Sequence, residues 1–275
     1  MQRKFTNEEL RPYLEGKKLW GDDYDQTQID AWFENEREAY ADLGAGEGHD
    51  PTEFGYHELN KRQSFRFLPS KQRFDAVLGI GSSYGDEFLP IADRIGRLTI
   101  SEPSLKLRSN SVAEVPVHYV TPQSSGELLL ADASFDLVVC FATLHHIPNV
   151  TRSIQEIARV TKLGGFVCLR EPVISMGDWT APRAGLTANE RGIPTQLFRE
   201  AIDSTDLKTI HDGPCAFPLT RRLSRLGIGY SSQVGALVDD MLSRVTAWNY
   251  HYHAQTKWQK VQPSARAFVL QRSST

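Results

Sequence analysis

Apolar and polar positions change rhythm along this chain near Arg73. Beyond it, short apolar runs alternate with amphipathic stretches: DAVLGIG, RLTISEP, VPVHYV, FDLVVCFATL, GFVCLREPV, LKTIHDGPCAF and finally ARAFVLQR. Apolar runs bounded by turn residues read as strands, and strands alternating with helical segments predict crossover units. The expected fold is α/β, with a mostly parallel sheet and helices on both faces. The clearest helix is NVTRSIQEIARVTKLGG. Val150, Ile154, Ile157, Ala158 and Val160 recur there near helical spacing, Asn149 or Thr151 stands as N-cap, and Gly164 falls just past the end. Two regions break the alternation. Residues 1–72 hold a predicted helix, QTQIDAWFENEREAYADL, the loop GAGEGHDPTE and the aromatic FGYHELNKRQSFRFL, but no strand-like run, which predicts a helical cap on a core of residues 73–275. Residues 220–262 read as a helical insertion before the last run, and an insertion that long between strands is expected to be a functional lid.

A length of 275 residues allows one large domain with insertions or two small ones. The 40% hydrophobic and 24% charged fractions are those of a soluble globular chain, and a net charge of -3 lacks the basic excess of a nucleic-acid binder. Cys140, Cys168 and Cys215 are odd in number and widely spaced, so they read as reduced thiols, and the expected location is cytoplasmic. The N-terminus has no apolar signal-like stretch, and no apolar run approaches the roughly 18 residues of a membrane helix.

Candidate chemistry begins at RFDAVLGIGSSYGDEF, where Gly79, Gly81 and Gly85 follow an apolar run. A strand ending in such a turn lets bare backbone approach a nucleotide. The spacing is shared with dinucleotide dehydrogenases. Glu102 ends the next run, where an open α/β sheet places a carboxylate to accept ribose hydroxyls, although it could instead cap a helix at EPS. A dehydrogenase would also want a Tyr-x-x-x-Lys pair downstream of the turn, and Tyr13 with Lys17 lies upstream.

The segments DASFDLVVCFATLHHIPN and EIARVTKLGGFVCLREP, with the glycine turn and Glu102 in order before them, decide between the two. From Phe74 to Pro172 the chain resembles the class I S-adenosylmethionine-dependent methyltransferases, especially the branch of ubiquinone/menaquinone-type and sugar O-methyltransferases. The resemblance implies a Rossmann-like seven-stranded sheet with an antiparallel last strand, and S-adenosyl-L-methionine as cofactor. It places Gly79, Ile80, Gly81, Ser82 and Gly85 against the methionine and ribose portions, and Glu102 with Pro103 at the ribose. Phe141 and Ala142 fall at the amino-acid end and sulfonium, with Tyr56 closing over from the cap. Two positions depart from the pattern. The usual first acid is Gly79 here, which leaves the cofactor's ammonium to Asp75, Asp86 or the Phe141 carbonyl. The acid that reads adenine is replaced by Ser124 or Ser125, with Glu127 nearest, so weaker binding or an acid brought from the cap is expected.

Methyl transfer to a hydroxyl needs alignment and a base. The resemblance to sugar O-methyltransferases implies His145 as that base and Glu171 as its partner, with His146 as the second candidate; packing roles for the histidines, and an ion pair of Glu171 with Arg170 or Arg183, are the alternatives. No metal is expected: His145, His146, Asp132 and Glu171 could supply ligands, but no tight acidic cluster accompanies them. Acceptor contacts are expected from the loop 173–195, through Trp179, Arg183 and Arg191, and from His57 in the cap. The reading is a methyltransferase acting on a hydroxyl of a small polar acceptor, a sugar or glycoside. A quinone-like or other aromatic ring methylated on oxygen or carbon, and a non-catalytic binding protein on the same fold, are the alternatives. No nucleic-acid partner or membrane span is expected, and a homodimer is compatible with the chain.

Overall fold

The computed structural model describes residues 6–39, 42, 54–177, 179, 181, 183–223 and 226–273. The loop GAGEGHDPTE lies outside the described residues. Eight strands form one sheet: β1 (Phe74–Ile80), β2 (Ile95–Ser101), β3 (Ser111–Val112), β4 (Val115–Val120), β5 (Phe135–Phe141), β6 (Thr161–Pro172), β7 (Leu207–Cys215) and β8 (Ala265–Arg272). Their order is β3-β4-β2-β1-β5-β6-β8-β7. The five strands from β4 to β6 run parallel, and β8 lies antiparallel between β6 and β7. The expected count of seven is exceeded by β3, a two-residue strand that turns back onto β4 at Ala113, where φ is +52°.

Past their second residues the central parallel strands β1 and β5 are buried and apolar because both faces of the sheet are covered there. Ala76, Leu78, Ile80, Val138, Cys140, Val167 and Leu169 join one core with α4 (Val150–Val160) and α5 (Thr195–Asp203). Val77, Leu137, Val139, Phe141 and Cys168 join the other, beneath Phe65 and Phe88. Successive residues of a strand therefore serve opposite layers, which governs everything at the strand ends. Helix α4 forms as its periodicity predicts, but Asn149 (φ +58°) caps it without a side-chain bond. Asp22, distant in sequence, accepts from the Thr151 amide (3.0 Å) and hydroxyl (2.7 Å) and does the capping instead.

The first seventy residues contribute α1 (Asn7–Leu14), α2 (Gln26–Glu36) and α3 (His57–Gln63). The predicted helix beginning at Gln26 starts on a capping box between Asp25 and Gln28 and ends at Glu36. Leu10, Trp20 and Trp32 share an aromatic cluster with Trp179 and Tyr252. The late insertion holds α6 (Pro218–Leu223) and α7 (Gln233–Thr246). Helix α7 is tied to α3 where Arg62 and Gln63 donate to Asp240. Among the described residues, no helix is long and apolar enough to cross a membrane.

Candidate active site

Strand order reverses between β1 and β5, so the crevice for a ligand opens at their carboxyl ends. There Gly81 adopts φ +62°, and a Cβ on it would strike the Thr143 side chain. Thr143 in turn donates to the Ile80 carbonyl (3.0 Å), tying the end of β5 to the turn. A Cβ at Gly79 would meet Ser82 and Phe88. Glu102, 5% exposed, accepts from the amides of Ser83 (3.2 Å) and Ser104 (3.0 Å), which leaves each carboxylate oxygen a further lone pair. Burial raises its pKa against the pull of those amides. Ala142 holds φ +54°, a left-handed conformation costly outside glycine that clusters at ligand sites. A turn without side chains beside a fixed carboxylate fits an adenosyl cofactor.

Carboxylates lie near both positions at which the sequence departs from the pattern it resembles. Asp75 is exposed and sits near the amino end of β1, away from the crevice. Glu87, which sequence reasoning passed over, is buried one residue beyond Asp86, and its Oε1 has no hydrogen-bond partner. Burial pushes its carboxyl up to about 8. Ser82 Oγ is likewise buried and unpaired. At the other end, α2 carries acids to the strand ends: Asp30 accepts from Ser124 (2.6 Å), and Glu38, just past the helix, accepts from Ser104 (2.9 Å) beside Glu102. Glu127 and Ser125 stay near each other in an exposed turn.

At the ends of β5 and β6 stands a denser group. Glu171 is fully buried and accepts from the amides of Thr143 (2.8 Å) and Leu144 (2.9 Å), while its other oxygen lies 2.7 Å from His145 Nδ1. It pairs with neither Arg170 nor Arg183. The turn Leu144–His146 is thus knotted onto the carboxylate, and His145 is held in one orientation with Nε2 turned away, 3.6 Å from Glu190 Oε1. Burial depresses the His145 pKa, but the two carboxylates outweigh it and the net shift is upward. Glu190 falls to about 2, because His145, His146 and the Thr187 amide overcome its burial. His146 Nδ1 lies 3.0 Å from Glu36 of α2, and burial together with the His145 charge lowers its pKa. One ligand atom each from His145, His146 and Glu190 fall within 4.8 Å of one another. Among the described residues this trio is the group with cation-holding spacing, and it shares both histidines with the set named from sequence; Asp132 is bound to Arg159 instead. Glu36 was missed because nothing local marks it: it lies 110 residues from His146 in the chain.

The residues expected to grip an acceptor are otherwise engaged. Trp179 is 6% exposed, stacks on Trp20 at 5.6 Å and donates its indole N–H to the Ser175 carbonyl. Arg191 is wholly buried and donates to the carbonyls of Trp20, Leu144 and Ile147. Arg183 donates to the carbonyls of Met176, Thr187 and Ala188. These guanidiniums fold the 176–191 loop over the histidines. His57 opens α3 with a buried, unpaired Nδ1, and Tyr56 stacks on Tyr230 at 5.5 Å. Pro103 follows Glu102 in the bend after β2. A cavity of about 390 Å³ lined by Lys18, Asp22, Leu197 and Ser204 lies behind α4 and takes no part in this site.

Comparison with known proteins places the fold. Residues 78–169 match the family described as Methyltransferase domain. The chain therefore carries a class I S-adenosylmethionine-dependent methyltransferase domain, and S-adenosylmethionine is its cofactor. It is 30% identical over 123 residues to the ubiquinone/menaquinone biosynthesis C-methyltransferase UbiE of Rubrivivax gelatinosus, covering 44% of this chain and 49% of the relative. The chain thus spans about half the length of the curated relatives it matches. In three dimensions it is similar to a chain of the complex between the Haloferax volcanii Trm112 methyltransferase activator and a putative methyltransferase (TM-score 0.58, 15% identity, 87% of this chain and 98% of that one). The N-methyltransferase NodS of Bradyrhizobium japonicum, solved with S-adenosylhomocysteine, shares the fold at TM-score 0.50 and 12% identity, over 86% of this chain and 98% of its own.

Proposed function

We propose that the chain is a working methyltransferase whose acceptor is a small molecule activated by loss of a hydroxyl proton at His145. The observation that carries this is the 2.7 Å contact between His145 Nδ1 and the buried Glu171, which fixes the imidazole and leaves Nε2 to receive a proton. S-adenosylmethionine, when bound, supplies a methyl group on a sulfonium. Gly81 and Glu102 would hold the adenosyl portion, Thr143 fixes the β5 end against the turn, and His145 would take the proton lost from the acceptor hydroxyl. A deprotonated sugar hydroxyl reacts at oxygen, and a deprotonated phenol or quinol can also react at ring carbon.

Between those acceptors, an aromatic ring is the better supported. The side chains expected to clasp a sugar serve the loop's own structure, whereas Tyr56 stacks on Tyr230 and shares the Arg170 guanidinium with Phe141, an aromatic surface at the end of β5. The printed name of the matched relative, a C-methyltransferase of ubiquinone/menaquinone biosynthesis, points the same way. The test is calorimetry with S-adenosylmethionine, S-adenosylhomocysteine and NADH, followed by an acceptor panel of phenols, quinols and glycosides. Binding of the two sulfur compounds, lost in Glu102→Ala, is expected. Turnover on the panel should fall on the order of 10²-fold in His145→Ala with cofactor affinity kept. NADH binding alone, or turnover within a few-fold of wild type in His145→Ala, would sink the reading.

A further inference from the structure

Arg170 and Glu171 are neighbours on β6, but their side chains leave the sheet on opposite faces. Arg170 shares its register position with Phe141 and packs its guanidinium between the rings of Tyr56 (4.8 Å) and Phe141 (5.3 Å). It is 6% exposed, and Nε donates to Asn60 Oδ1 at 3.0 Å. Its two terminal nitrogens make no hydrogen bond, and the residue has no ion pair, among the described residues. Beside it Asn60 Nδ2, on α3, is buried without a partner, as is His57 Nδ1 at the start of the same helix. Buried Glu87 acts on this guanidinium only at electrostatic range, with no hydrogen bond between them, so the fork keeps its terminal donors open, and open donors beside buried unpaired groups are costly. A fold sustains such an arrangement where a ligand completes it.

We infer that Arg170 and Asn60 form a carboxylate receptor beside the glycine turn. The guanidinium offers the planar fork that matches a carboxylate, the Asn60 amide offers a further donor, and the flanking rings exclude water and fix the plane. The carboxylate has two available sources: the amino-acid end of the cofactor, or an acid group on the acceptor. The inference rests on the proposed cofactor.

Two ligands separate the sources. S-adenosylhomocysteine carries the amino-acid end, and 5′-methylthioadenosine is the same adenosyl thioether without it. Calorimetry on wild type and Arg170→Gln should show S-adenosylhomocysteine weakened tenfold or more, with methylthioadenosine unchanged within twofold, if the cofactor is the source. If the acceptor is the source, both nucleosides keep their affinity. 4-Hydroxybenzoate then binds the S-adenosylhomocysteine-loaded wild type better than neutral 4-hydroxybenzyl alcohol does, and Arg170→Gln abolishes the preference. Arg170→Lys, which keeps the charge and loses the fork, should fall between. An equal loss of both nucleosides, or no change in any ligand, overturns the receptor. S-adenosylhomocysteine that fails to bind wild type overturns the cofactor reading itself and the receptor with it, and is distinct from either of those results.

Discussion

Glu171 and Arg170 are consecutive, both are buried charges, and they teach opposite lessons. Glu171 has its oxygens occupied by the amides of Thr143 and Leu144 and by His145 Nδ1. Arg170 uses one donor of five, toward Asn60. Saturation marks a charge that holds the fold and orients another group; open valence marks a charge that waits for a partner. The strand's two-residue period sets them apart without any change in chain position, one toward the histidines and one toward the glycine turn.

The most severe way to break this contrast is Glu171→Ala. It strands buried amide donors and the His145 ring N–H, and should destabilise the fold by about 3 kcal/mol or more. Thermal unfolding should show a large drop in Tm for Glu171→Ala and a small change or a gain for Arg170→Gln; equal losses would erase the distinction. A smaller effect separates the two carboxylates on His145. The base is the neutral imidazole, whose pKa is raised, so turnover should climb as pH rises through a midpoint above the ordinary histidine value of about 6.5. Glu190→Gln removes one of the groups holding the ring protonated and should move that midpoint to lower pH, as read from the pH dependence of kcat. No movement would deny Glu190 any hold on the base. The smallest expected effect comes from chelation: EDTA should leave turnover within twofold, because Nε2 of His145 cannot receive a proton and bind a cation at once. Activity lost to EDTA and restored by one divalent metal would reassign His145, His146 and Glu190 as its ligands.

Much of the fold was legible because its signals are local. The apolar run of β5, the helix repeat of α4 and the glycines after β1 each declare themselves within fifteen residues. The site was legible only where a strand end names it: Glu102, Phe141, His145 and Glu171. Partners supplied across the fold left no mark in sequence. Asp30 and Glu38 reach Ser124 and Ser104 from the N-terminal helices, yet each reads locally as an ordinary surface acid. Arg170 was legible as a charge beside Glu171, and the alternation that parts them was not weighed. Trp179 and Arg191 looked like ligand contacts because exposure and burial cannot be told from residue type in a loop.

The space that a side chain at Gly79 would occupy is already taken by Ser82 and Phe88. An acid placed at position 79 would have to push aside a turn hydroxyl and a core ring together, so this one crowded position trades against two separate layers of the molecule at once.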